Sequence, residues 1–285
     1  MHYSSAFLIA ALAAYASAHS VIVRIQGANG VTMPDLSVAD GTPRDCATPA
    51  CGSEADTSII RSKELGTNKV TALGRTNGGG PVDAAKAITA FMGGSGNATA
   101  NKERGLSQCP YGGAAAGGAT SGGTKTPKGT TEDGVAKTAG IGAIFGLPTC
   151  ADDGTITMTF RQVNQDGASS LTAAVNPTSR GTDPAAFQTA QVTQNILGIG
   201  VGDLSDATTT EFPVKVQMPA GMTRSGSVGG ASNACIVRLQ NSALAGPFGG
   251  SPAFTQSAAA KKRAIKYNLG MRHIARGILG KLKAD

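Results

Sequence analysis

The sequence predicts a mainly β fold: an immunoglobulin-like β-sandwich with long glycine-rich loops and a short basic C-terminal helix. Three observations predict it. Short segments in which apolar and polar residues alternate recur along the chain, separated by Gly, Pro and Asn turns, as in antiparallel sheets with one buried face. Glycine and proline account for 40 and 13 of the 285 residues without a collagen period or a heptad. An apolar fraction of 40% against 15% charged is enough to bury a core in one large β domain or two small ones.

The elements follow in order. Residues 1–18, MHYSSAFLIAALAAYASA, set an apolar run before Ala16-Ser17-Ala18 and read as a secretory signal with a small-residue cleavage site, although the n-region has no Lys or Arg. The run is too short to span a membrane, and the mature chain is expected to begin at His19. Ser20 to Gln26 alternates as a strand with Val21, Val23 and Ile25 on one face. After Pro81, Asp83 is placed to cap a short helix whose Ala84, Ile88 and Met92 share a stripe. The stretch from about 93 to 134 has no buried-face periodicity and is expected to be a flexible insertion. Strands return at 154–163, with Ile156, Met158 and Phe160 on one side, at 212–218, and at 234–240, with Cys235, Val237 and Leu239 on one side. The sandwich domain is thus 19–257, followed by a basic tail, 258–285.

That tail holds eight Lys/Arg and the single acid Asp285, and the rest of the chain carries seventeen groups of each sign, so the net charge of +7 is a property of the tail. A neutral body gives no expectation of nucleic-acid binding. Only 12 residues are Phe or Tyr and none is Trp, which leaves little for stacking on sugars or bases. The tail places Tyr267, Met271, Ile274, Ile278 and Leu282 at helical spacing, with Lys262, Lys266, Arg276 and Lys283 largely elsewhere on the wheel. Three readings stand for it: a solvated, partly helical extension weakened by Gly270, Gly277 and Gly280; weak contact with an anionic membrane surface; or removal at the basic run Lys261-Lys262-Arg263.

The mature chain keeps Cys46, Cys51, Cys109, Cys150 and Cys235, so an oxidising compartment allows two bridges and leaves one thiol. Cys46 and Cys51 are spaced to close a short loop, but connectivity does not follow from spacing. Zinc is a poor fit, with no second close Cys pair and almost no His. Asn97-Ala98-Thr99 is an acceptor for N-glycosylation. No G-x-S-x-G elbow or Walker sequence is present, and the runs at 140–146 and 198–203 lack dinucleotide spacing and read as turn glycines. Asp152-Asp153 and Glu132-Asp133 sit in Gly-rich turns and read as solvated charges, so no catalytic residue is assigned. His19 stands apart. As a free N-terminus, its amine and imidazole supply two nitrogen donors of the kind copper favours, and copper is the one cofactor the residues raise against an expectation of none. A redox site needs a second imidazole, for which only His273 in the tail is left.

His19 after the signal, TPRDCATPACGSEADTSIIR (42–61), GTITMTFRQVNQDGA (154–168), FPVKVQMPAGM (212–222) and CIVRLQNSALAGPFGGSPAFTQS (235–257) together resemble the fungal Egh/MAS family of appressorium-specific virulence factors over nearly the whole mature chain. The resemblance implies a protein of the secretory route, made in the infection structure, released or first retained there, needed for host penetration and without an established enzymatic activity. Its partner would be a host surface or a fungal wall component. The His-first start, QVNQDGA and GPFGG also resemble, remotely, the β-sandwich of lytic polysaccharide monooxygenases, which gives the alternative of a copper protein using His19. The family pattern implies a histidine where this chain has Arg161, whose guanidinium has no lone pair for a metal. Arg161 falls on the Thr face of its strand and is expected to face solvent or an acid. The pattern also implies a Cys near Thr223, whose absence here would leave Cys235 without a partner and its surroundings looser.

Overall fold

The structure, a computed structural model, describes residues 19–67, 70–94, 123–164, 170–178, 181–196, 207–243 and 246–282. The signal segment, Asn97, Cys109, the run at 198–203 and the centre of the expected insertion lie outside them. The strands are β1 (Ser20–Gln26), β2 (Thr32–Pro34), β3 (Ser58–Ile59), β4 (Arg75–Thr76), β5 (Gly80–Pro81), β6 (Thr124–Lys125), β7 (Thr155–Gln162), β8 (Thr172–Asn176), β9 (Gln188–Gln194), β10 (Thr210–Gln217), β11 (Gly226–Val228), β12 (Ala231–Gln240), β13 (Phe248–Gly250) and β14 (Ala253–Thr255). The helices are α1 (Ala84–Phe91), α2 (Gly134–Thr138), α3 (Ile141–Phe145) and α4 (Ala258–Leu282).

The fold is mainly β and antiparallel, as expected. The two separate sheets of an immunoglobulin-like sandwich are replaced by one hydrogen-bonded path, β2-β1-β7-β10-β9-β8-β12-β13-β3-β4-β5, with β6 beside β10 and β11 and β14 beside β12. β9 joins the halves because it pairs with β10 on one edge and β8 on the other. The sheet curls until β1 packs against β13, which is far from it along the path. Ile22, Met158, Phe160 and Val214 of one half thereby meet Val175, Val237 and Phe254 of the other in one apolar core. Fully burying each such side chain contributes about 1.5–3 kcal/mol.

β7 keeps its expected face, with Ile156, Met158 and Phe160 all in this core. β1 departs from strict alternation: its register against β7 shifts between Ile22 and Arg24, a bulge that changes the phase. Ile22 and Ile25 therefore enter the main core, while Val21 and Val23 join Val38 in a small cluster on the outer face. β12 is buried on both faces, with Cys235 and Ile236 alike in the main core. Asp83 caps α1 by accepting the Lys86 N–H at 3.1 Å, and the buried stripe is Ala84, Ile88 and Phe91, with Met92 just past the helix end. The run at 140–146, read as turn glycines, instead forms α3 between Gly140 and Gly146, both at positive φ. In the expected insertion, 123–134 is ordered: β6 pairs with β10, and Glu132 is buried. α4 runs 25 residues, straight through its glycines, rather than as the short helix expected.

Candidate functional site

The end of β7 and the start of β1 lie side by side, which brings the residue before β1 against the residues after β7. Val163 N–H donates to the His19 carbonyl at 3.0 Å, and His19 N–H donates to Asn164 Oδ1 at 2.7 Å. Asn164 Nδ2 in turn donates to Glu54 Oε1 at 3.3 Å, and His19 Nδ1 lies 3.1 Å from the same oxygen. Glu54 comes from the loop just after the Cys46–Cys51 disulfide and a 3-10 turn at Pro49–Cys51. The Phe248 ring of β13 closes the arrangement, its centroid 4.4 Å from the imidazole's. Beneath it, Asn241 donates to Ser20 Oγ at 3.3 Å and accepts the Phe248 N–H at 2.9 Å.

His19 is only 9% exposed and Glu54 3%. Burial pushes the Glu54 carboxyl up from the usual range to about 7, because a carboxylate loses its hydration there. The imidazole is thus buried beside a carboxyl that holds its proton more readily than an exposed one. This geometry does not fit an oxygen-activating copper site. Both nitrogens that would bind the metal are turned onto the protein oxygens of Glu54 and Asn164, and Phe248 covers the ring. The other described histidine, His273, is exposed on α4. Among the described residues no group of three or more His, Cys, Asp or Glu is placed to hold a metal ion.

A second polar cluster lies on the outer face of β7. Arg44 donates from Nη1 and Nη2 to Asp56 at 3.0 and 2.6 Å and from Nε to Glu132 at 3.0 Å, with all three side chains buried. The expected solvated acid Glu132 is therefore the partner of a buried arginine. Arg161 is likewise corrected: it is fully buried, not solvent-facing, with Thr126 of the loop after β6 against it and Glu211 opposite it on β10. It donates to Thr126 Oγ1, while its Nε and Nη2 meet no hydrogen-bond partner among the described residues. Burial, then the neighbouring Arg44 charge, pulls this guanidinium down to about 10. Asp133 stays on the surface with Lys137 at 2.6 Å, and Asp152 accepts the Ser257 hydroxyl at 2.9 Å.

Of the remaining cysteines, Cys150 and Cys235 are free thiols. Burial raises both, Cys235 to about 12, which leaves them inert as nucleophiles. Cys235 is 1% exposed, and nearby Arg224 bonds Thr255 Oγ1 at 2.7 Å and the Gln256 carbonyl. Sequence reasoning singled out His19 but neither Glu54 nor Asn164; the signal available was their place inside the quoted GSEADTSIIR and QVNQDGA segments.

The chain belongs to the Egh16-like virulence factors, whose family model matches residues 17–249. More particularly, it is 57% identical over 290 residues to the appressoria-specific virulence factor GAS2 of Pyricularia oryzae, covering 98% of this chain and 97% of that one. The appressoria-specific virulence factor GAS1 of the same fungus is 38% identical over 104 residues, 36% of this chain and 40% of that one. No solved structure matches the chain.

Proposed function

We propose that this virulence factor is a secreted, non-enzymatic effector of the appressorium that serves host penetration by attaching to a surface, with α4 as the attaching element. The observation that carries this reading is the composition and exposure of α4. The helix has seven Lys/Arg and no acid. Of the exposed large apolar side chains among the described residues, Ile144 and Phe145 are on α3, and the other five, Ile265, Tyr267, Leu269, Met271 and Ile274, are on α4. Only its first turns dock: Ala260 and Ala264 are buried, and Asn268 donates to the Gly221 carbonyl at 2.9 Å. Beyond that point, basic and apolar groups project together into solvent, the combination that binds anionic lipid surfaces at about 1 kcal/mol per basic residue. No described helix is long and apolar enough to cross a membrane, so the contact is along the surface.

Co-sedimentation with vesicles of phosphatidylcholine, with and without phosphatidylserine, tests this. Binding should require phosphatidylserine, weaken with salt, and fall at least tenfold in Lys266→Glu/Arg272→Glu, two reversals at about 1 kcal/mol or more each. Ile274→Glu should weaken it as well. Equal binding to both vesicles, or binding only to isolated wall polymers, would remove the lipid surface from the reading.

A further inference from the structure

Between α1 and the loop after β2 the surface opens into a cleft of about 440 Å³, a volume within the range of small-molecule sites. Its floor is apolar, with Met33 from β2, Leu36 and Val38 from the loop, Val82 and Phe91 from the α1 side and Val135 from α2. The mouth is cut back to small residues. Ala39, Ala55, Gly78 and Gly79 are exposed there, and α1 turns Ala87 and Ala90 toward it while Ala84 and Ile88 face the core. Methyl groups thus stand where longer side chains would have filled the space.

The polar side chains in the cleft are already engaged. Asp35 accepts from the Ser37 N–H and hydroxyl at 3.0 and 2.8 Å and from the Ser251 N–H at 2.6 Å. Asp56 is held by Arg44, Thr76 Oγ1 accepts the Gly79 N–H at 2.7 Å, and Thr138 Oγ1 donates to the Gly134 carbonyl at 2.7 Å. A sugar or a peptide would surrender its water hydrogen bonds to these walls with few replacements. At the lip the exposed Asp83 is used in capping α1, its Oδ1 accepting the Lys86 N–H at 3.1 Å, whereas the Lys86 ammonium is exposed and takes part in none of the ion pairs of the described residues.

We infer that the cleft binds a single acyl chain bearing an anionic head group, the chain lying on the apolar floor and the carboxylate meeting Lys86. This site is separate from α4 and does not rest on surface attachment. The full chain is titrated with the fluorescent fatty acid cis-parinaric acid, and palmitate is the displacer. Saturable one-site binding, reversed by palmitate, is expected. Affinity should drop at least tenfold in Ala87→Phe and, independently, in Ala90→Leu, each filling the cleft, with melting curves confirming that at least one of the two is folded. Lys86→Glu should weaken palmitate severalfold and leave its methyl ester unaffected. Absence of saturable binding, unchanged affinity in the folded cleft-filling variants, or loss of binding in Ile274→Glu with the cleft variants unaffected would each overturn the assignment.

Discussion

Asp35 shows how one buried carboxyl sets a pH dependence. It is 3% exposed, and loss of hydration lifts its pKa from 3.8 to about 6, outweighing the bonds from Ser37 and Ser251 that favour the charged form. Because its folded pKa lies above its unfolded one, the folded state binds more protons between these values. The contribution is fully present below about pH 3.8 and is lost as pH rises through about 6. A shift of this size corresponds to roughly 2–3 kcal/mol. Denaturant titrations from pH 4 to 7 should show this loss together with that from Glu54, whose carboxyl is raised to about 7, and Asp35→Asn should remove the Asp35 share alone, at the cost of one mismatched donor, about 1–3 kcal/mol. At this scale the sequence was least legible. Arg44 and Glu132 are 88 residues apart, and charged residues in Gly-rich stretches read as solvated until the fold covers them. Arg161 was misplaced for the same reason: alternation shows which face of β7 it occupies, but not that the loop carrying Thr126 comes against it.

Among the elements, β13 explains the GPFGG run. A Cβ on Gly249 would lie 1.9 Å from the Leu239 carbonyl oxygen of β12, and one on Gly250 would lie 2.7 Å from Ile22 Cβ of β1. The two glycines let β13 press against its pairing partner and across the interior at once, which closes the curl. Gly249→Ala should therefore force β12 and β13 apart and cost about 3 kcal/mol, measurable as a lowered denaturation midpoint. Strands with clear alternation, β1, β7, β10 and β12, were legible to within a few residues, as was the Asp83 cap of α1. β8 and β9 were not: TAAVN and QTAQVTQ carry too few large apolar residues to announce a buried face, and their pairing with each other and with β10 and β12 supplies the order. α4 exceeded expectation because Ser257 caps it, accepting the Ala260 N–H at 3.1 Å, and three alanines begin it.

Over the whole molecule, body and tail behave as separate physical objects. The body is a neutral β structure with one continuous core, whereas α4 shares only its first turns with that core and carries the net charge. Ending the chain after Asn268 should leave the melting temperature within about 2 °C, since surface changes away from packed features stay within about 0.5 kcal/mol. The same truncation should abolish vesicle binding, so the two readouts separate attachment from folding. The neutral body and charged tail were legible from the sequence, because charge can be counted along a chain. The single curled path was not, since it depends on β9 pairing at both edges.

The position of β1 carries one more implication, concerning synthesis. The first strand of the body does not sit at an edge: it lies between β2 and β7 and packs on 248–250 through β13. As the chain emerges from the ribosome, Arg24–Gln26 meets β2 within a few residues, but the other edge of β1 and the clamp residue before it wait for partners made more than a hundred and then more than two hundred residues later. Contacts so distant in sequence slow folding and lengthen the time for which an apolar strand is unpaired. Completion of the body is thus timed by the arrival of Phe248, and the N-terminal strand is exposed to aggregation until then.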